Sequence, residues 1–449
     1  MVWSSMEAKE YKGQWWIPAR QDKKVAGILY YKPSEEFRLE LIGSFETQND
    51  DSIAAIFSAK EEDVIHGQAS DGTKISLFNS HYCHISHIGK ADFSLVVYKA
   101  KEIAIGIHLN SPDDKRCFKA SVRIPELSYW LYPAALQQVI FNDSDDALGI
   151  HISMIAQKEE YREVAKTEVK KGIKICLCRN ASFQGGDQSF KPIFEQFTSL
   201  QIESSSEISM LDLYTLAVRF EHFMSLATLR EVGFTDLYVY SKEYYFTVGK
   251  MVHYNPVSID TTYHQHPCEK EIKDYNFLFD YKKVVDVYPK IIKKWFANDW
   301  KFDAIRGHFL ESIDYHGFFS YVNFLVVIQA VEGYGNRYLK KNIEAYRKSL
   351  PANTKTRRLH NILTTIIRLY ADVRSVNPSI DVDAIVETRN YHSHLLAQRG
   401  KNCADGLELY RLTDELRKVL ICCILSYLGF SNQQIDQLTS ATNNNLFRN

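Results

Sequence analysis

The apolar residues of this chain recur every second position in one long stretch and every third or fourth in another, and no single layer of structure accommodates both periods. From Val25 to about Glu203, short runs rich in Ile, Val, Tyr and Phe alternate with polar residues, the mark of half-buried strands. Strands are expected at 25–31, 37–43, 53–58, 72–78, 92–99, 103–109, 117–124, 148–156 and 172–178, and Lys32-Pro33-Ser34-Glu35-Glu36 is a hairpin loop between the first two. Many short strands at near-regular spacing argue for a sandwich or a barrel. Near Glu207 the spacing changes: Met210, Leu213, Ala217, Phe220 and Met224 make one face of a helix over 207–230. Two more strands are expected at 235–241 and 244–251, and the polar, proline-bearing segment near 254–280 reads as a linker. After 281 helical spacing takes over, at 286–298, 302–312, 317–346, 355–375, 381–398 and 404–428, with Pro351 and Pro378 between segments and Gly429 as a C-cap. The expected architecture is an α+β multidomain chain. A β-rich, sandwich- or barrel-like N-terminal domain over 1–280 precedes an all-α helical bundle over 281–449.

At 449 residues the chain exceeds one ordinary core, and its 45% hydrophobic and 24% charged composition excludes a disordered protein. The eight cysteines sit mostly in apolar runs such as Ile175-Cys176-Leu177-Cys178, not in a spaced disulfide framework. No basic-then-apolar leader opens the sequence, and the apolar stretches Phe318–Val331 and Val419–Phe430 fall short of the roughly 20 residues a membrane span needs. A cytoplasmic protein without a membrane contact is therefore expected. The net charge of −1 conceals an asymmetry: residues 281–449 carry 24 Lys and Arg against 16 Asp and Glu, an excess of +8 that the first 280 residues offset with −9. A polyanion partner for the helical part would explain this, and so would a well-solvated helical surface.

The segment Glu387-Thr388-Arg389-Asn390-Tyr391-His392-Ser393-His394 carries the clearest chemistry. Cutting RNA without a metal requires a base for the ribose 2′-OH, an acid for the departing 5′-oxygen, and a cation for the charge that builds on phosphorus. Histidine exchanges protons near neutral pH, and arginine offers a planar fork to phosphate oxygens. On a helix Asn390 and His394 are four apart and share a face, so the amide could orient the imidazole. His392, three residues from Arg389, is a rival for the proton-transfer role. The string Arg389, Asn390 and, after four residues, His394 resembles the signature of HEPN ribonucleases. The resemblance favours His394, implies catalytic Arg389, Asn390 and His394, and implies a homodimer in which both motifs line one cleft. Upstream, Lys340, Lys341, Arg347, Lys348, Lys355, Arg357, Arg358 and Arg368 accompany a single acid, Glu344, and could track a phosphate backbone; an ordinary solvated helix face fits as well.

The opening Tyr11-Lys12-Gly13-Gln14-Trp15-Trp16-Ile17-Pro18, with the strand Val25–Tyr31 and a second strand ending Gly43-Ser44-Phe45, resembles the N-terminal domain of the ApeA-type anti-phage defence proteins. Read from the residues alone, it is a Trp pair anchoring a β-hairpin to its core. Together the two resemblances imply a metal-independent endoribonuclease of abortive infection, silent until a phage cue, that cuts RNA to leave 2′,3′-cyclic phosphate ends. Transfer RNA is a plausible substrate because its loops expose flexible backbone. The competing class is a non-catalytic RNA- or protein-binding sensor that uses its helical domain to dimerise.

Other constellations are weaker. His81, Cys83, His84 and His87, with His264, His266 and Cys268, supply zinc-ligand types at spacings that match no zinc pattern, so no metal site is expected. Gly185-Gly186 and Gly333-Tyr334-Gly335 lack the context of a phosphate loop, so no nucleotide-binding motif is readable and no cofactor is expected. Asp381, Asp383 and Glu387 lack the second cluster of a two-metal nuclease. Glu332, in an apolar helical segment, is a candidate to orient the motif.

Overall fold

A computed structural model describes residues 8–33, 35–45, 61–86, 95–131, 136–144, 147–154, 162–184, 193–263, 277–314, 320–351, 357–398, 400–442 and 446–447. The chain divides into two compact units, Met1–Glu221 with Gly233–Glu271, and His222–Val232 with Ile272–Asn449. The expected strand at 53–58 lies outside the described residues.

Six antiparallel strands of the first unit close into a barrel. They are β1 (Lys9–Trp16), β2 (Val25–Tyr31), β3 (Phe37–Ile42), β4 (Glu62–Ala69), β5 (Lys74–Ser86) and β6 (Leu95–Ala100), in the order β5-β4-β1-β2-β3-β6, with β6 pairing back onto β5. Closure removes the open edges that a flat sheet of this size would expose. It depends on β5 serving three neighbours. The first half of β5 lies between β4 and β7 (Glu102–Ile105), whereas its second half, from His81, turns to β6. At the change of partner Asn79 adopts φ 53°, a conformation asparagine tolerates better than most residues, and its Nδ2 donates to Glu102 Oε1 at 2.9 Å. Alternation places Leu29, Tyr31, Phe37, Leu39, Leu41, Ile65, Ile75 and Leu77 in one buried cluster around Trp15. Trp15 is fully buried, and a Cβ on Gly67 would lie 2.2 Å from its ring. Only glycine fits opposite that indole.

Trp16 points the other way and meets two histidines. The rings of His66 and His108 stack at 4.6 Å, Trp16 lies edge-on to both, and each Nε2 is 2.8–2.9 Å from a backbone carbonyl, His66 on Leu109 and His108 on Gly67. Burial pushes both imidazoles down, His108 to about 4, with the cations Lys24, Lys74 and Arg116 acting in the same direction. The unfolded chain therefore binds protons near pH 6.5 that the folded one takes up only near pH 4, so stability is complete above that window and falls as pH drops through it. The thermal midpoint of the parent is expected to fall between about pH 6.5 and 4, and His108→Gln to flatten that dependence. Parallel profiles for the two proteins would contradict this assignment.

From β7 the sheet continues outward as β7-β17-β14-β8-β13-β12-β11. The strands are β8 (Lys115–Arg123), β11 (Glu163–Lys170), β12 (Ile173–Gln184), β13 (Ile193–Ser209), β14 (Asp236–Ser241) and β17 (Val257–Thr261). A separate hairpin joins β9 (Leu136–Ser144) to β10 (Ala147–Met154). Helix α1 (Pro125–Trp130) packs on β13, where Ser128 Oγ accepts from the Thr198 amide at 3.1 Å. Helix α2 (Met210–Thr228) matches the segment expected at 207–230, and the division between the units falls within it. Two expectations change here. The strand expected at 244–251 is a hairpin, β15 (Tyr245–Val248) and β16 (Met251–Tyr254), because Gly249-Lys250 supplies a two-residue turn. The segment read as a linker begins with β17, whose Val257 and Ile259 are buried.

The second unit is helical. Its helices are α3 (Tyr281–Val284), α4 (Tyr288–Trp295), α5 (Trp300–Asp314), α6 (Tyr321–Tyr338), α7 (Lys340–Ser349), α8 (Arg358–Leu369), α9 (Val382–His394), α10 (Gly406–Leu428) and α11 (Asn432–Ala441). The single helix expected over 317–346 is two, because Leu339 leaves the helical region at φ −115°, ψ 22° and turns its side chain inward. Helix α11 was not expected, although Ser431 and Gln434 form the capping box that begins it. Apolar positions on α10 from Leu409 to Leu428 make it the centre of the unit, against α4, α5 and α6. No described helix is long and apolar enough to cross a membrane.

Candidate active site

Helix α9 carries the motif, and its two ends explain how the side chains are presented. Asp381 caps the start, its carboxylate accepting from the Ala384 amide at 2.9 Å. Ala384, Ile385, Val386 and Thr388 face the core, and the buried Thr388 hydroxyl accepts from the Ala404 amide at 2.8 Å, tying the following loop to the helix. The helix stops at His394 because Leu395 takes the left-handed conformation at φ 47°, ψ 49°. That conformation costs leucine roughly 1 kcal/mol or more, and here it leaves Leu395 86% exposed. His394 is thus the last residue of a helix that ends in solvent.

The three motif side chains converge. Arg389 Nη1 lies 3.2 Å from Asn390 Oδ1 and 3.3 Å from His394 Nε2, and Arg389 Nη2 donates to Glu332 Oε2 on α6 at 3.4 Å. A guanidinium only donates, so this contact is a hydrogen bond to His394 when the imidazole keeps a lone pair on Nε2. These bonds are long, at the weak end of the range, as befits groups that exchange partners when a substrate arrives. Asn390 touches the arginine and not the histidine, while Glu332 contacts the arginine from α6. His392 is elsewhere: its ring stacks on Tyr321 at 5.0 Å and 1°, at the start of α6. Tyr321 and Thr388 carried no signal in the sequence, since one begins a helix and the other sits in its core face.

The remaining carboxylates of this region serve the fold. Asp383 pairs with Arg357 at 3.1 Å and lies 4.0 Å from His360, and Glu387 accepts from the Asn402 amide at 3.1 Å. Of the basic stretch, Lys340, Lys341, Arg347 and Lys348 lie exposed on α7, with Arg357, Arg358 and Arg368 on or beside α8; Lys355 lies outside the described residues. Lys348 pairs with Glu344, Arg358 donates to Asn336 Oδ1, and Arg368 covers the Tyr346 ring at 4.8 Å. The Arg357–Asp383 pair sets the start of α8 beside the start of α9, roughly 16 Å along the α9 axis from His394 at 1.5 Å per residue. No cluster of metal-ligand residues forms among the described residues, where His81 lies 3.9 Å from Glu36 and Cys83 is exposed; the His84 side chain, His87, His264, His266 and Cys268 lie outside them.

A β-barrel unit followed by a helical unit with an Arg-Asn-x3-His face defines a class, the proteins that append a HEPN domain to a separate N-terminal module. The family model for ApeA N-terminal domain 1 matches residues 10–295, and that for Apea-like HEPN matches residues 325–434, so the chain belongs to the ApeA family of defence proteins. No curated protein and no solved structure gives a significant match. HEPN domains are generally ribonucleases, which places the chain in a nuclease class with a defence-associated role.

Proposed function

We propose that the chain is a metal-independent endoribonuclease acting in the cytoplasm in abortive infection, with a nuclease domain over 281–449 and a sensor or regulatory domain over 1–280. The observation that carries this reading is the convergence of Arg389 and His394 at an exposed helix end, with Glu332 behind the arginine. An incoming phosphate competes for Arg389, whose fork then binds two of its oxygens and releases His394 Nε2. That nitrogen takes the 2′-hydroxyl proton, the 2′-oxygen bonds to phosphorus, and the bond to the 5′-oxygen breaks. The departing oxygen takes a proton from the second histidine of a dimer, leaving a 2′,3′-cyclic phosphate and a 5′-hydroxyl. The basic residues of α7 and α8 would hold the flanking RNA, for which transfer RNA is the first candidate. Purified protein incubated with total tRNA in EDTA is expected to yield fragments that Arg389→Ala and His394→Ala proteins do not. Equal fragmentation by all three would refute the assignment.

The dimer has its own support. Tyr321 and Val322 at the start of α6, and Leu395 and Leu396 after α9, are large exposed apolar residues, and the Tyr321–His392 stack makes the two groups neighbours. Leu395→Glu is expected to shift the sedimenting species from dimer to monomer and to lower cleavage about 100-fold. A monomeric parent that is fully active would overturn this arrangement.

A further inference from the structure

The first unit contains a cavity of about 810 Å³ on the outer sheet, walled by β8, β12, β13 and β14 and overhung by the β15–β16 hairpin. Its volume is that of a small-molecule site. Its lining combines aromatic rings with an excess of cations. Phe118, Phe246 and Tyr254 bring aromatic rings: Phe118 meets Tyr254 edge-on at 4.9 Å, and Phe246 stacks on His253 at 5.2 Å. Lys119, Arg162 and Arg179 bring cations against one acid, Glu203, which already holds Lys166 at 3.0 Å and lies 3.7 Å from Lys119. Among the described residues Arg162 makes no ion pair. Asn180, Gln201 and Ser204 add amide and hydroxyl groups able to read the edge of a polar ring.

The hairpin points to a missing occupant. Phe246 and Val252 line the cavity yet remain 49% exposed, an apolar rim left open among the described residues. The occupant is not an added strand, because β8, β12, β13 and β14 each already have a partner on both sides. From the aromatic walls, the cationic excess and the volume we infer that this cavity binds a nucleotide, its base among Phe118, Phe246 and Tyr254 and its phosphates toward Arg162 and Arg179. The lining residues are scattered from 118 to 254, which is why no motif announces them. This inference is independent of the nuclease reading.

Calorimetric titration of the full chain with ATP, GTP, CTP and UTP tests it, with adenosine and tripolyphosphate as probes that each supply one half of the recognition. At least one nucleotide is expected to bind once per chain with a Kd below about 100 µM, and both half-probes at least about tenfold more weakly. Arg162→Ala and Phe246→Ala, at exposed positions that leave folding intact, should each weaken binding about tenfold, while His394→Ala leaves it unchanged. Absence of any nucleotide binding tighter than about 1 mM, equal binding of tripolyphosphate, or binding insensitive to both cavity substitutions would overturn the inference.

Discussion

His394→Ala is expected to reduce RNA cleavage by about 10³-fold or more, the range set by loss of a general base with no neighbour to replace it. The neighbour in sequence, His392, is held in a stack with Tyr321, so it offers no substitute, and His392→Ala should cost far less. Arg389→Ala removes the proposed phosphate clamp and the side chain in contact with His394, and an effect of about 10²- to 10³-fold is expected. Glu332→Gln keeps a weaker contact to the guanidinium, so a loss of about 10- to 100-fold through misplacement is expected. Single-turnover rates on one RNA order the four proteins. If His392→Ala proves the inactive one, the roles of the two histidines are reversed.

Trp15→Ala is expected to destabilise the barrel by about 3–5 kcal/mol, the cost of a cavity left by a large buried aromatic ring. Trp15, on β1 between β2 and β4, is fully buried, and its neighbours are locked in a paired sheet that cannot collapse into the space. A change of this size corresponds to a fall of about 10 °C or more in the melting point of the first unit. Gly67→Ala attacks the same contact from the other side, since the new methyl would meet the indole ring. The two effects are coupled: Gly67→Ala should cost much less in a Trp15→Ala background, where the ring it strikes is gone. Additive losses in thermal melts would show that Gly67 is required for some other reason. Ile42→Ala, at a half-exposed position on β3, serves as the near-neutral control.

What could be read from the sequence was local periodicity and one compact motif. Strand alternation marked β2 and β3, whose Leu29, Leu39 and Leu41 are buried, and the three-to-four spacing from Met210 marked α2. Barrel closure was not readable, because it depends on β5 changing partners at Asn79, a conformational choice that a lone Asn-Ser pair does not advertise. The β15–β16 turn at Gly249-Lys250 and the Ser431/Gln434 capping box did carry signals, which longer apolar patterns overshadowed. At the candidate site, Arg389, Asn390 and His394 fall within one helix and were found together. Glu332 lies 57 positions away and meets Arg389 only through the packing of α6 on α9.

The chemistry at the ends of the cleaved RNA tests the central claim most directly. Fragments produced by the parent protein in EDTA should carry 2′,3′-cyclic phosphate and 5′-hydroxyl termini, detected by their resistance to ligation until a phosphatase acting on cyclic ends has been applied, and His394→Ala should produce none. Fragments with 3′-hydroxyl and 5′-phosphate ends, or cyclic ends formed equally well without His394, would contradict the account.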